Sequence, residues 1–447
     1  MSTAVLIIGA GRSASTLIEY LAAKAPARGY HLTVVDTATE PMAWIQKQFP
    51  HVTTRAVDIT QAPERRTLIS SHDIVVSMLP AYMHEMIWRD CIEIGRHFFS
   101  ASYVSPALRE MAEQIRKKRL FFLQEMGLDP GIDHMSALQV IDEIHEQGGE
   151  VYSFKSYTGG LIAPESDDNP WHYKFTWNPY NVVTAGKDGA VFLQNGHIHA
   201  VPYHHLFQTI DDIYLPELGQ FEGYYNRDSL QYQSAFRLPE AETLIRGTLR
   251  REGFCHAWHV LVELGMTADT VQIPLNPRMT ACDFTRMFLP PTYEDLPADV
   301  QLARQLHLST DDPIIEKLRW MGLFERKPLH LEGRHSPAKV LLHLLKPRWQ
   351  MMPHDRDMIV MVHLFRYRMQ GRSFWKKSYM HARGDNRMRT AMAKTVGLPL
   401  AIAIDLFIQG TINLYGLYIP NVPEIYRPVL EQLKANGIHF HEITKEI

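Results

Sequence analysis

The stretch "AVLIIGAGRSASTLIEYLAAKA", residues 4–25, leaves few folds open to this chain. An apolar run meets a glycine-bearing turn, and a segment of helical period follows. Gly9 and Gly11 fill the first two positions of G-x-G-x-x-G, and Ala14 takes the third. The first glycine permits the tight turn, and the second lets a pyrophosphate approach the backbone. The third position needs only a small residue where helix meets sheet. The helix N-terminus then offers free N–H groups to phosphates. Alone this signal is weak, and its context has to carry it.

A second apolar run, "HLTVVD", ends in Asp36, about 25 residues beyond Gly11. An acid at that distance hydrogen-bonds the adenosine ribose hydroxyls and repels a 2′-phosphate, which favours NAD over NADP. The competing role for Asp36 is that of a loop acid or helix cap. Further runs follow at regular intervals: "VTTRAVDI", which carries Asp58, then "DIVVSMLP", "HFFSASY" and "LFFLQEMGLDPG". Helix-period segments such as "AYMHEMIWRDCIEIG" and "SPALREMAEQIRKKR" separate them. The alternation predicts an α/β fold with a doubly wound parallel sheet. Ligands in such sheets bind beyond the carboxyl ends of the strands, where "SMLP", "SASY" and "GLDPG" fall. The stretch "GLDPGIDHM" is turn chemistry in itself. Its position predicts that Asp129 stands on the ligand edge, with Asp133 and His134 bracing the helix "HMSALQVIDEIHEQ".

From about Val151 the texture changes. "VYSFKSYTGGLIAPESDDNPWHYKFTWNP" is rich in aromatics, glycine and proline, and predicts strands joined by irregular loops in a second, α+β domain. Its Arg227, Arg246 and Arg250 are candidates for binding carboxylates, because guanidinium forks match them, although any one arginine alone is more often a surface salt-bridge partner. Residues from about 290 to 370 are expected to be helical, as in "DDPIIEKLRWMGLF" and "SPAKVLLHLLK". The segments "RTAMAKTVGLPLAIAIDLFIQG" and "PEIYRPVLEQLKANGIHF" predict late helices that pack back near the first domain. The most lipid-like stretch, "VGLPLAIAIDLFIQG", is too short for a membrane span and contains Asp405, so a buried helix with Pro399 near its first turn is expected.

A chain of 447 residues has ample material for two or three domains, and 45% hydrophobic with 21% charged residues is ordinary for a folded soluble protein. The net charge of -3 gives no support for nucleic-acid binding. Cys91, Cys255 and Cys282 are scattered, which points to a reducing cytoplasm and no disulfide framework. No secretory signal is read at the start. Histidine is abundant at 23 residues, but neither HExxH nor a Cys/His zinc spacing occurs, so no metal site is expected.

Taken in order, "VLIIGAGRSAS", "VVSMLP", "SASYVSPAL", "GLDPGIDHM", "SYTGGLIAPESDDNPWHYKFTWNP", "EGYYNRDS", "RGTLR" and "TAMAKTVGLPLAIA" resemble the saccharopine dehydrogenase family, in its glutamate-forming type. The resemblance implies a Rossmann domain over residues 1–134 and an α+β substrate domain over 135–395, with a helical insertion at about 290–370. It implies that C-terminal helices in 396–447 return to the first domain. Beside Gly9, it implies Ala10, Gly11, Arg12 and Ser13 on the pyrophosphate, and Asp36, Asp58 and Leu79 around the rest of the cofactor. Ala101 and Ser102 are implied near the cofactor, with Ser102 and Tyr103 touching substrate. Leu128, Asp129 and Pro130 fall at the junction of the two, and Arg227, Thr248 and Arg250 on the substrate. Fungal relatives carry Cys-Arg-Thr where this chain reads "VDT" at Val35–Thr37. That departure supports NAD, with NADP possible.

The activity implied is oxidation of the CH–NH bond of saccharopine to L-glutamate and 2-aminoadipate 6-semialdehyde, or the reverse condensation. Asp129, Tyr103 and Lys174 are the candidates for proton transfer. A homodimer is expected, with a small-molecule substrate and neither nucleic acid nor membrane as partner. Two other readings compete. A carboxyspermidine-type dehydrogenase of polyamine synthesis would line its pocket with acids rather than Arg227 and Arg250. A non-catalytic NAD-binding sensor would keep the glycine loop without needing "LDPGIDHM" and the arginines together.

Overall fold

The computed structural model describes residues 2–291 and 294–447, and the side chain of Arg12 lies outside what it describes. The first layer is a seven-stranded sheet, parallel throughout. Its order runs Gly416–Tyr418, Phe121–Leu123, His97–Ser100, Ile74–Ser77, Ala4–Ile8, His31–Asp36 and Thr53–Ala56. Every strand expected from the first third of the chain forms. The central ones are apolar on both faces, as Val5, Leu6, Val75, Val76, Phe98 and Phe99 are each wholly buried, because helices cover the sheet front and back. The chain crosses from one half of the sheet to the other beside Ala4–Ile8, and the glycine turn opens at that switch point.

The second layer is a ten-stranded mixed sheet. Its main path runs Ile210–Leu215, Gly219–Tyr225, Thr243–Arg251, Glu150–Ile162, Asp357–Met369, Arg372–Arg383 and His441–Glu446. Here the expected helical stretch to about residue 370 needs correction. The helices Ala298–Gln305, Pro313–Trp320 and Pro337–Arg348 form, the last two capped by the Asp312 and Ser336 side chains. Helix stops at Arg348, and "DMIVMVHLFRYRM" is a strand between two others. A short apolar run buried on both faces cannot be told from a buried helix by its period alone. The C-terminal portion is likewise not purely helical: Gly416–Tyr418 joins the first sheet and His441–Glu446 the second.

The helix Ala391–Ile408 ties the layers together. It falls within the stretch read as a late helix but extends well upstream of the lipid-like run, at 18 residues with mean hydropathy 1.7, and by length and composition alone it is able to cross a membrane. In this fold 72% of that span is buried in protein. Pro399 lies in the helix interior rather than its first turn, because Thr390 caps the helix well upstream. The helix lies directly on Ser15–Arg28: a Cβ added at Gly397 would stand 2.8 Å from the Leu17 nitrogen and 3.1 Å from the Ser13 oxygen. Farther along, Asp405 faces Lys24 at 3.5 Å and Arg28 at 3.6 Å.

Candidate active site

The carboxyl edge of the parallel sheet begins with the glycine loop. Gly9 takes φ +100°, which only glycine adopts without strain, and an added Cβ would press on Leu79 and the Met78 backbone at 3.2 Å. Leu79 therefore packs on the loop. Gly11 is extended, and a Cβ there would meet nothing within 4 Å, so open space lies over it. Ala10 is nearly buried, and Ser13 is half-buried in the first helical turn. The Ala10 N–H donates to the Asp36 carboxylate at 2.7 Å, and the Ala38 N–H does so at 2.9 Å. Asp36 is thus held at the loop by backbone donors. Asp58 is exposed, and Thr60 holds it through its N–H at 3.0 Å and its hydroxyl at 2.7 Å, which lowers the carboxyl pKa. This arrangement fits a dinucleotide: small residues where the pyrophosphate approaches, and an acid where a ribose diol would sit.

Two loops follow along the same edge. The "ASY" loop and the "GLDPG" loop abut, since a Cβ at Gly127 would lie 3.1 Å from that of Ala101. Ser102 accepts or donates at 2.8 Å to His84 Nε2, and His84 Nδ1 lies 2.8 Å from the Ser77 hydroxyl. Burial pushes the His84 pKa down to about 4, so a neutral imidazole links two neighbouring strand ends. The sequence held no sign of this bridge, because its three residues lie in three separate segments. Tyr103 is 37% exposed and stands beside Asp129, with the Arg227 guanidinium 5.5 Å from its ring centre. Desolvation, reinforced by the Asp129 charge, raises the phenol's pKa.

"GLDPGIDHM" is a turn, and it also holds charges in place. The Gly127 N–H donates to Pro130 O at 2.9 Å, and the Ile132 N–H donates to Gly127 O at 2.9 Å. Leu128 and Pro130 are buried under it, and Asp129 is partly open. Arg246 Nη2 bonds Asp129 Oδ1 and, at 2.7 Å, Asp133 Oδ2. Asp133 braces the helix start as predicted, accepting from the Gly131 N–H at 2.6 Å. Burial raises the Asp129 pKa, and the neighbouring Asp133 adds to that against the opposing Arg246. Burial opposes ionisation of Asp133 too, but His134 and Arg246 outweigh it and hold that carboxyl well below its usual range.

The facing wall is the strand Thr243–Arg251. Alternation along a strand puts Arg246, Thr248 and Arg250 on one face. Arg250 is nearly buried, its guanidinium 5.0 Å from the ring centre of Tyr173 and 5.3 Å from that of Phe254. Its Nε has no hydrogen-bond partner among the described residues, and the same holds for the buried hydroxyls of Thr158 and Thr176. Thr158 pairs in register with Thr248 on the adjoining strand. A Cβ at Gly160, two residues along that strand, would lie 3.1 Å from the Thr176 hydroxyl. Buried polar groups normally find partners, so these three are candidate contacts for a polar ligand. Arg227 is exposed at φ +54°. Lys174 does not belong here. It is 2% exposed with Nζ held by Asp168 at 2.7 Å and Asp355 at 2.8 Å. The two carboxylates overcome the desolvation and raise its pKa, so it is a locked structural cation rather than a proton donor.

Residues 5–123 match the family profile described as "Saccharopine dehydrogenase NADP binding domain", and residues 127–438 match "Saccharopine dehydrogenase C-terminal domain". The chain is 31% identical to the NADP(+), L-glutamate-forming saccharopine dehydrogenase of Schizosaccharomyces pombe, over 98% of each. An apo saccharopine dehydrogenase (L-Glu forming) structure from Saccharomyces cerevisiae superposes with TM-score 0.89 at 31% identity, covering 99% of this chain and 100% of that one. The homospermidine synthase of Legionella pneumophila shares the fold at TM-score 0.56 and 11% identity, over 99% of this chain and 92% of that one. With the Rossmann layer, the mixed sheet and the matched profiles in agreement over nearly its whole length, the chain belongs to the saccharopine dehydrogenase family.

Proposed function

We propose that this protein is a glutamate-forming saccharopine dehydrogenase that prefers NAD to NADP. The observation that carries the reading is the wall of Arg246, Thr248 and Arg250 facing Asp129 across the carboxyl edge of the dinucleotide sheet. Saccharopine is a secondary amine bearing three carboxylates, and it needs cations around it and a proton acceptor at its nitrogen. Arg250, with a free Nε, and the exposed Arg227 supply the first, together with the unpartnered hydroxyls of Thr158 and Thr176. Asp129, whose burial raises its pKa, supplies the second.

A nicotinamide dinucleotide held by the glycine loop and Asp36 would supply the acceptor for the hydride on the lysine-derived carbon. As that C–H bond breaks, the amine proton leaves toward Asp129 and the carbon–nitrogen bond becomes an imine. Water adds to the carbon, and the carbon–nitrogen bond then breaks to give L-glutamate and 2-aminoadipate 6-semialdehyde. Tyr103 stands where it can fix the orientation of the reacting nitrogen or the water. A polyamine substrate would want free carboxylates at Arg227 and Arg250. Asp129 and Asp133 are both bonded to Arg246, which disfavours that reading.

The cofactor preference rests on Asp36, whose carboxylate faces the glycine loop between two backbone donors. A 2′-phosphate brought there would meet a fixed negative charge. The named NADP(+) relatives make the test sharp. Purified protein is assayed with saccharopine and either NAD or NADP, following the reduced nicotinamide. We expect kcat/KM with NAD to exceed that with NADP by at least about tenfold, equivalent to ~1.4 kcal/mol. Equal or better turnover with NADP overturns the role of Asp36, and no turnover with either overturns the substrate.

A further inference from the structure

Glu125 and His134 sit behind the candidate site, and the chemistry above does not use them. Glu125 follows the strand Phe121–Leu123 and is buried, although its backbone takes φ +57°, a left-handed conformation uncommon outside glycine. Its N–H donates to Ser102 O at 3.0 Å, and Oε1 accepts from the Val104 N–H at 3.1 Å. Those two bonds bracket Tyr103. The other carboxylate oxygen lies 2.9 Å from His134 Nε2. His134 is 1% exposed, and its Nδ1 lies 3.0 Å from Asp133 Oδ2, an ion-pair contact that lacks hydrogen-bond geometry. Asp133 shares Arg246 Nη2 with Asp129. One unbroken chain of contacts therefore runs from the Tyr103 loop through Glu125, His134, Asp133 and Arg246 to Asp129.

A turn at this place needs none of these charges. Ionic groups buried together bring a desolvation penalty that an apolar cluster would avoid, and such clusters concentrate at functional sites. We propose that Glu125 and His134 are positioning residues that act together on Asp129: they hold the Tyr103 loop and the Asp133–Arg246 pair in register with it, and their opposite charges balance each other at its carboxylate during turnover. The inference rests on the reading of Asp129 as the acceptor of the substrate's amine proton.

The surroundings are accounted for on every side. His134 faces Asp133 on its own helix, Glu125 from the loop, Arg246 and Tyr232 from the second domain, and His363 from the strand Asp357–Met369. Asp129 faces Arg246, Asp133, His134 and Tyr232, with Arg227 and Tyr103 at its open side. His363 is neutral, since burial pushes its pKa down to about 4. The two nearby carboxylates overcome burial and raise the His134 pKa to about 9, so it is cationic at neutral pH. Loss of His134 then removes a positive charge near Asp129, and loss of the Glu125 charge removes a negative one.

The test is the pH dependence of kcat/KM for saccharopine in the wild type, Glu125→Gln, His134→Gln and the double variant. The acid-side limb should move up in His134→Gln and down in Glu125→Gln, each by about half a pH unit or more. In the double variant it should return toward the wild-type position. Limbs that stay in place, or that move in the same direction, overturn the proposal and leave a purely structural pair. Should a glutamine variant fail to fold, or the wild type not act on saccharopine, NMR titration of the His134 ring in the wild type decides. A ring protonated to about pH 9 supports the proposal, and one that titrates near its ordinary 6.5 overturns it. An inactive wild type with a raised His134 pKa would refute the substrate reading alone.

Discussion

Asp129 shows how little separates a turn residue from a reacting one. Its neighbours Pro130 and Gly131 close the turn, while its own carboxylate is partly open and bonded to Arg246 rather than spent on the backbone. Asp129→Asn keeps the size of the side chain and removes its charge. We expect that variant to fold, to bind NAD, and to lose about a hundredfold or more in turnover, the usual weight of a general base. Near-normal turnover would reduce Asp129 to a turn residue. Lys174 teaches the opposite lesson. It stood in a stretch that resembles the family's own, yet two carboxylates hold it out of reach. One of those acids, Asp168, is six residues away, but no property of the sequence says that Asp355 will close on the other side.

At the scale of elements, the turn Gly127–Gly131 carries more constraint than either element it joins. Gly131 takes φ +143°, and a Cβ there would sit 2.1 Å from Gly127 O. Gly131→Ala should therefore destabilise the protein by at least about 2 kcal/mol in urea unfolding, from strain and overlap together. Gly148→Ala makes the control. Its φ is +76° but nothing lies within 4 Å of the added carbon, so the cost should be about 1 kcal/mol. Equal costs for the two variants would refute the close-contact argument. The strand Asp357–Met369 shows what elements hide. Its alternation is lost over residues 357–363, where both faces are buried, and returns only near its end, where Phe365 and Tyr367 are buried and Arg366 and Arg368 are exposed.

At the scale of the whole molecule, two large sheets are joined by a helix and a buried charge cluster, and stability should register both. His134 has a folded pKa of about 9, above the ordinary 6.5, so its contribution is complete below pH 6.5 and fades as pH rises through 9. His84 and His363 have folded values of about 4, so theirs is complete above pH 6.5 and fades as pH falls toward 4. Unfolding free energy should thus peak near pH 6.5 and decline on both sides, by on the order of a few kcal/mol in each direction. Urea unfolding across that range checks it, with the alkaline decline expected to flatten in His134→Gln. A plateau from pH 6.5 to 9 in the wild type would mean that His134 is not held charged.

The parallel sheet, the glycine loop, Asp36 at the end of its strand and Asp129 at the ligand edge were all legible in the sequence. Each rests on short-range rules: apolar runs of strand length, glycine where the backbone must turn, an acid at a set distance from the loop. The alternation that brings Thr248 and Arg250 onto one face belongs to the same class. Only the tertiary structure decided that Arg246 would bind Asp129, that Glu125 and His134 would stand behind it, that His84 would link Ser77 to Ser102, and that Gly416–Tyr418 would complete the first sheet. The first and last of these pair residues separated by long stretches of chain, and the other two depend on how neighbouring loops meet at the sheet edge. Such pairs form because the folded interior leaves buried polar groups no water to bond with, so each takes the partner that packing brings to it.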